Sequence, residues 1–127
     1  MSGAAAVRTV LVVDDEANIR GLFRDELEEA GYRVLTAGSW AEAETQLARE
    51  RPDLVTLDIR MSDGPDGIEA LRQIKERHPG LPVVLVTAYG EYRADFATWA
   101  ADGYVVKSAD LTELKARIAL LLGGPPA

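Results

Sequence analysis

The chain has 127 residues, a length that suits one domain with a buried hydrophobic core. Its formal net charge of -7 argues against binding to nucleic acid or to an anionic membrane surface, because both need a basic patch. Cysteine is absent, which excludes disulfides and thiolate metal sites and suits a cytoplasmic protein. No apolar run approaches the roughly 20 residues of a membrane span.

Apolar runs alternate with segments of helical periodicity along the whole chain. Strands are predicted over residues 9–13, 32–36, 54–58, 82–87 and 104–107. Helices are predicted between them: one stopped by Gly31, one capped by Ser39, one over 67–78 capped by Asp66, one marked by Tyr92, Phe96 and Trp99, and a last one marked by Leu111, Leu114, Ile118 and Leu121.

Strand and helix thus alternate five times. This order predicts a doubly wound five-stranded parallel sheet, (βα)5, in a flavodoxin-like three-layer α/β sandwich. We expect one folded domain over residues 8–122, between a flexible leader at 1–7 and a flexible tail at 123–127.

Five polar residues stand where the predicted strands end, in a pattern that a buried sheet does not explain. They are Asp14, Asp15, Asp58, Thr87 and Lys107. The carboxyl ends of parallel strands share one edge of a sheet, and open α/β sheets bind their ligands there. We therefore expect these side chains to line one pocket.

Three carboxylates in one pocket repel one another unless a positive charge offsets them. Lys107 is one candidate, and a hard divalent cation is the other. Magnesium prefers oxygen ligands, and Asp14, Asp15, Asp58 and the backbone carbonyl of Arg60 could supply them. The sequence therefore predicts a Mg2+ site.

These groups also suit phosphoryl transfer to a carboxylate, which needs a nucleophile, a metal and fixed donors for the phosphoryl oxygens. Asp58 is the predicted nucleophile. The Lys107 ammonium and the Thr87 hydroxyl are the predicted donors.

With these roles assigned, the chain resembles the receiver domain of two-component response regulators. The residues that carry the resemblance are Val12-Val13-Asp14-Asp15-Glu16, Asp58-Ile59-Arg60-Met61, Asp66-Gly67, Val86-Thr87-Ala88 and Tyr104-Val105-Val106-Lys107. The resemblance implies a magnesium-dependent switch that receives phosphate on Asp58 from a sensor histidine kinase or a phosphotransfer protein. It also implies that Thr87 and Tyr104 rearrange on phosphorylation. The face formed by the fourth helix, fifth strand and fifth helix would then engage a downstream protein or form a homodimer.

The chain departs from the family pattern at several positions. Ser62 follows Met61 where the family has proline, and Asp66-Gly67 comes one residue later than usual. Ser108 follows Lys107 where the family has a cis proline. Large residues, Arg60 and Tyr89, occupy two variable positions, and we expect them to slow self-dephosphorylation by crowding the attacking water.

Other interpretations of the same residues remain open at this point. Asp14 and Asp15 could simply form a turn and cap a helix, with no role in a site, and Tyr104 could be an ordinary core residue. The domain could be a stand-alone receiver, a phosphorelay shuttle, or a pseudo-receiver that acts as an adaptor without phosphorylation. A hydrolase of the haloacid dehalogenase type would need an acid two residues after Asp58, where this chain has Arg60.

Overall fold

The part of the chain that the structure describes forms five strands and four helices. The computed structural model describes residues 7–58, 67–87, 101–108 and 110–123, with only the backbone at 67 and 68. In chain order the elements are β1 (Thr9–Val13), α1 (Ala17–Glu29), β2 (Arg33–Ala37), α2 (Trp40–Glu50), β3 (Leu54–Asp58), α3 (Gly67–Arg77), β4 (Val83–Thr87), β5 (Gly103–Val106) and α4 (Thr112–Leu121).

All the strands are parallel and form one sheet in the order β2-β1-β3-β4-β5. The strand order reverses once, after β2, so the crossover through α1 lies on one face of the sheet and the crossovers through α2 and α3 lie on the other. The predicted α/β fold with a five-stranded parallel sheet is therefore confirmed. The predicted fourth helix falls within residues 88–100, outside the described residues, as does the Asp66 cap.

Two apolar clusters, one on each face of the sheet, make the three layers. On one face, α2 and α3 bury Trp40, Leu47, Leu71 and Ile74 against Leu11, Leu57 and Leu85. On the other face, α1 and α4 bury Phe23, Leu27, Leu114 and Ile118 against Val12, Val84 and Val105. Successive strand residues point to opposite faces of the sheet, and helices cover both faces. The central strands β1, β3 and β4 are therefore apolar at nearly every position.

Several boundaries differ from the predicted ones by one residue. β2 begins at Arg33, because Tyr32 still belongs to the turn in which its N–H bonds to the carbonyl of Leu27 and Gly31 has φ 104°. β5 begins at Gly103 and ends at Val106, so Lys107 lies just beyond the strand rather than inside it. β4 begins at Val83 and not at Pro82, which has no N–H to donate.

Within the described ranges, none of the helices combines the length and the apolar character that crossing a bilayer requires.

The N-terminus of α2 offers a test of the local folding signals. The Ser39 side chain accepts a hydrogen bond from the Glu42 N–H at 3.1 Å, as the sequence predicts for a cap. We expect Ser39→Ala to lower the free energy of unfolding by about 1 kcal/mol, because an orphan N–H loses its partner. Urea denaturation measures the change.

Thr45→Ala is the matched control, since Thr45 is exposed in the interior of the same helix. There alanine gains helix propensity, so we expect stability to stay the same or to rise slightly. Equal loss in the two variants would contradict the assignment of Ser39 as the cap.

Candidate functional site

Three of the predicted site residues meet at the carboxyl edge of the sheet. Asp14 directly follows β1, Asp58 is the last residue of β3, and Lys107 directly follows β5. The Lys107 Nζ lies 2.9 Å from Asp14 Oδ2 and 3.2 Å from Asp58 Oδ2. The edge thus gathers one amine and two carboxylates from segments that are far apart in the sequence.

The contacts of Asp14 explain its position. Its backbone N–H bonds to the carbonyl of Ala37 in β2, which holds the residue at the sheet edge. Its Oδ1 accepts a hydrogen bond from the Glu16 N–H at 2.9 Å, which shapes the turn into α1, while its Oδ2 contacts Lys107. The interpretation of Asp14 as a helix-start residue and its placement in the pocket are therefore compatible.

Asp58 is nearly enclosed, with a relative exposure of 4%. It pairs with Val86 in the register of β3 with β4, so its backbone is fixed by the centre of the sheet. A buried carboxylate is costly unless it is paired or hydrogen-bonded, and Lys107 supplies that charge here. The Asp58 side chain therefore leaves a backbone that is fixed by the sheet, and its Oδ2 contacts the ammonium of Lys107.

Glu16 also belongs to this site, although the sequence analysis named it only within the motif that follows β1. Its Oε1 lies 3.2 Å from Lys107 Nζ, and its side chain is 62% exposed. Carboxylate oxygens of Asp14, Asp15 and Glu16 all lie within 4.8 Å of one another. The sequence signal that could have placed Glu16 in the site is the run of three consecutive acids, Asp14-Asp15-Glu16.

A second residue that the sequence analysis missed is Arg20. Its Nη1 donates to the backbone carbonyl of Asp14 at 2.8 Å. Arg20 lies one turn after Glu16, so the helical spacing places both on the same side of α1. This bond ties the first turns of α1 to the turn that carries the acids.

The charges around Lys107 decide its protonation state. Its partial burial lowers its pKa, but the hydrogen bond that it donates to Asp14 and the charges of Asp58 and Asp14 outweigh this, so the pKa of Lys107 lies above its ordinary value. The side chain of Lys107 is 13% exposed, which limits the screening of these charges by water. Lys107 is therefore a fixed ammonium group at neutral pH.

Thr87 and Tyr104 are placed by the pairing of β4 with β5. Thr87, the last residue of β4, is fully buried, and its carbonyl accepts the Lys107 N–H. Tyr104 pairs with Leu85 and is half-buried against the cluster on the α2 and α3 face. Thr87 therefore lies at the acidic edge, whereas Tyr104 lies in the first half of β5, farther from that edge. Arg60, Tyr89, Ser62 and the aromatic segment at 92–99 lie outside the described residues.

The donor set fits a hard divalent cation. Asp14 and Asp58 are buried carboxylates, Asp15 and Glu16 add two more, and the Lys107 ammonium contacts Asp14, Glu16 and Asp58. Carboxylate oxygens are the ligands that magnesium prefers, and an excess of acids over ammonium favours a second positive charge. Among the described residues, the acids whose oxygens lie within 4.8 Å of one another are Asp14, Asp15 and Glu16, and these could hold the ion; the predicted contribution of Asp58 stays a prediction.

Comparison with known proteins points to one family. Residues 10–119 match the response regulator receiver domain. The structure of the response regulator TrrA from Thermotoga maritima in complex with Mg2+-BeF is 43% identical, with a TM-score of 0.85 and coverage of 91% of this chain and 99% of that chain. The complex of the histidine kinase ThkA with TrrA gives 44% identity and a TM-score of 0.84 over the same shares, 91% and 99%.

Curated relatives are longer proteins. The probable transcriptional regulatory protein TcrX of Mycobacterium tuberculosis is 37% identical over 116 residues, which is 90% of this chain and 49% of TcrX. The DNA-binding transcriptional regulator NtrC of Escherichia coli is 39% identical over 111 residues, which is 86% of this chain and 24% of NtrC. The chain therefore spans less than half the length of these two relatives.

The buried charge cluster generates a stability prediction. Lys107→Met removes the ammonium and leaves Asp14 and Asp58 buried without it, so we expect the free energy of unfolding at pH 7 to fall by roughly 3 kcal/mol in metal-free buffer. Chemical denaturation with a chelator present measures this loss.

Lys115→Met is the matched control. The Lys115 Nζ pairs with Glu26 at 2.7 Å, but the two side chains are 34% and 38% exposed, so we expect a loss below about 1 kcal/mol. A loss for Lys107→Met no larger than that of the control would contradict the electrostatic account of the site.

Proposed function

We propose that this chain, which belongs to the response regulator receiver domain family, is a signalling switch that accepts a phosphoryl group on Asp58. The observation that supports this most directly is the contact of Lys107 Nζ with both Asp58 Oδ2, at 3.2 Å, and Asp14 Oδ2, at 2.9 Å. It puts an acceptor carboxylate, a fixed positive charge and further oxygen ligands at one edge of the sheet. The donor would be a phosphohistidine of a sensor kinase or of a phosphotransfer protein.

In the proposed transfer, an oxygen of Asp58 forms a bond to phosphorus while the bond between phosphorus and the donor imidazole nitrogen breaks. The imidazole leaves and takes up a proton. Because the transition state is loose, positioning and charge compensation account for most of the rate. The rigid placement of Asp58 at the end of a central strand supports this role.

Lys107 would neutralise the charge that the phosphoryl group brings. It already contacts Asp58, so its ammonium needs only a short movement to reach an oxygen of the new acyl phosphate. Asp14 would keep the same ammonium anchored from the other side. A magnesium ion, when bound by Asp14, Asp15 and Asp58, would add positive charge against the phosphoryl oxygens.

The readout would pass through Thr87 and Tyr104. Thr87 is bonded through its carbonyl to the residue that contacts Asp58, and Tyr104 lies on the neighbouring strand. We propose that both rearrange on phosphorylation and change the surface of β5 and α4. A downstream protein, or a second copy of the chain in a homodimer, would bind that surface in the cytoplasm.

The neighbouring structures support these partners by similarity alone. TrrA is described in complex with Mg2+-BeF and, separately, with the histidine kinase ThkA. A pseudo-receiver adaptor is the alternative for this chain, and labelling separates the two. The alternative predicts a folded protein that takes no phosphoryl group.

The first test of the proposal is covalent labelling. With acetyl phosphate and magnesium, we expect the wild-type chain to gain the mass of one phosphoryl group, because Asp58 is the proposed acceptor. Asp58→Asn should remove the label, since an amide is not a competent nucleophile at this step. Intact-mass spectrometry measures both proteins.

Asp25→Asn is the matched control, an equivalent change at an exposed acid of α1. It should label like the wild type. A label that persists in Asp58→Asn would identify another acceptor, and absence of label in all three folded proteins would favour the adaptor.

The second test is thermal denaturation with and without magnesium. At a magnesium concentration about ten times the Kd, we expect the Tm to rise by roughly 5 °C, because the ion binds only the folded state and relieves repulsion among carboxylates. Asp15→Asn should reduce the rise, whereas Asp25→Asn should preserve it. Identical melting curves in chelator and in magnesium would contradict the site.

A further inference from the structure

We propose that Lys75 and Asp102 form a positioning pair that fixes the register of β5 and thereby aims Lys107 at Asp58, an inference that rests on the proposed function. Lys75 lies near the end of α3, and Asp102 directly precedes β5. Their side chains meet at 2.5 Å between Nζ and Oδ2. The pair lies at the amino end of the strand, at the opposite edge of the sheet from the acidic site.

β5 needs such a constraint more than the other strands of the described sheet that carry site residues. It has four residues and lies at the edge of the sheet, where it pairs only with β4. The central strands β1 and β3 each pair on both sides. A slip of one residue along β4 would move every side chain of β5 to the opposite face. Lys107 follows this strand at once, so its position depends on the register.

Asp102 fixes the start of the pairing between β4 and β5 with two hydrogen bonds to Val83. Its backbone N–H donates to the Val83 carbonyl at 2.9 Å, and its Oδ2 accepts the Val83 N–H at 2.8 Å. The carboxylate therefore satisfies the first N–H of β4 while the main chain begins the ladder. Only the pairing in which Asp102 lies beside Val83 makes both bonds.

Lys75 holds that carboxylate in place from a different layer. Its Nζ donates to Asp102 Oδ2 and also to the Leu81 carbonyl at 2.9 Å, so it joins α3 to the segments that enter β4 and β5. The side chains of Lys75 and Asp102 are 25% and 36% exposed, so water screens their attraction only in part. The ammonium thus fixes the orientation of the Asp102 carboxylate.

The register set at this end determines the other end of the strand. From Val84 beside Gly103, the pairs run to Thr87 beside Val106. The next residue, Lys107, then donates its N–H to the Thr87 carbonyl, and its side chain reaches Asp58 and Asp14. Lys75 and Asp102 would therefore act on the reaction through Lys107, without touching the phosphoryl group.

The test compares the rate of Asp58 labelling by acetyl phosphate in folded variants, at a temperature well below every Tm. We expect Lys75→Met and Asp102→Ala to slow labelling about tenfold, within the range that a misplacement of about 1 Å costs. Asp102→Asn, which keeps an oxygen to accept the Val83 N–H, should recover most of the rate. Hydrogen exchange at the Val106 and Lys107 amides should speed up in Lys75→Met and Asp102→Ala.

Arg77→Met is the matched control, because Arg77 lies on the same helix and pairs with Glu44 of α2 at 2.8 Å, with no contact to β5 among the described bonds. It should leave the labelling rate and the Lys107 amide unchanged. Wild-type rates in Lys75→Met and Asp102→Ala, or equal slowing in Arg77→Met, would overturn the proposal. If the wild type takes no label, the proposed function fails, and exchange at the Lys107 amide alone then decides whether the pair fixes β5.

Discussion

The ammonium of Lys107 is the charge on which the acidic edge depends. It lies within 3.2 Å of oxygens from Asp14, Glu16 and Asp58, of which the first and last are buried. Without it, two buried carboxylates would lose the ammonium that they share, and the cost of burying their charges would rise. The ammonium of Lys107 thus allows the folded protein to keep an acidic pocket and remain stable.

The sheet makes this charge cluster possible by bringing together residues that are distant in the chain. Asp58 and Lys107 are 49 positions apart, and Glu16 and Lys107 are 91 apart. Their approach requires β1, β3, β4 and β5 to lie side by side with one register, which the two apolar clusters fix from both faces. Packing in the core therefore sets the precision of the polar edge, because a slip of one residue would turn apolar side chains outward.

Much of this arrangement could be predicted because its signals are local. The both-faces apolar runs predicted β1 and β3 to the residue, and Ser39 predicted the start of α2. The motifs at the strand ends predicted the family, which the match over residues 10–119 confirms. Boundaries of β2 and β5 shifted by one residue because turn bonds and edge pairing, not composition, decide where a short strand begins.

What the sequence could not give were the contacts between side chains of different elements. The contact of Glu16 with Lys107 joins two segments that have no local sequence signal in common. The pairing of Lys75 with Asp102 likewise joins residues that are 27 positions apart. The structure places Asp58, Thr87 and Tyr104 on β3, β4 and β5. Their roles in phosphoryl transfer and in switching stay predictions. Arg60 and Tyr89, whose bulk we expect to slow phosphoryl loss, lie outside the described residues.

Asp14 divides its two oxygens between separate tasks. One accepts the Glu16 N–H and so shapes the entry to the first helix, while the other meets the ammonium of Lys107. An asparagine at this position would perturb backbone geometry and pocket charge together, so its phenotype would mix two causes. Asp15 is half-buried, and one of its carboxylate oxygens lies within 4.8 Å of oxygens of Asp14 and Glu16, so an asparagine there would change the charge offered to an ion at the same place.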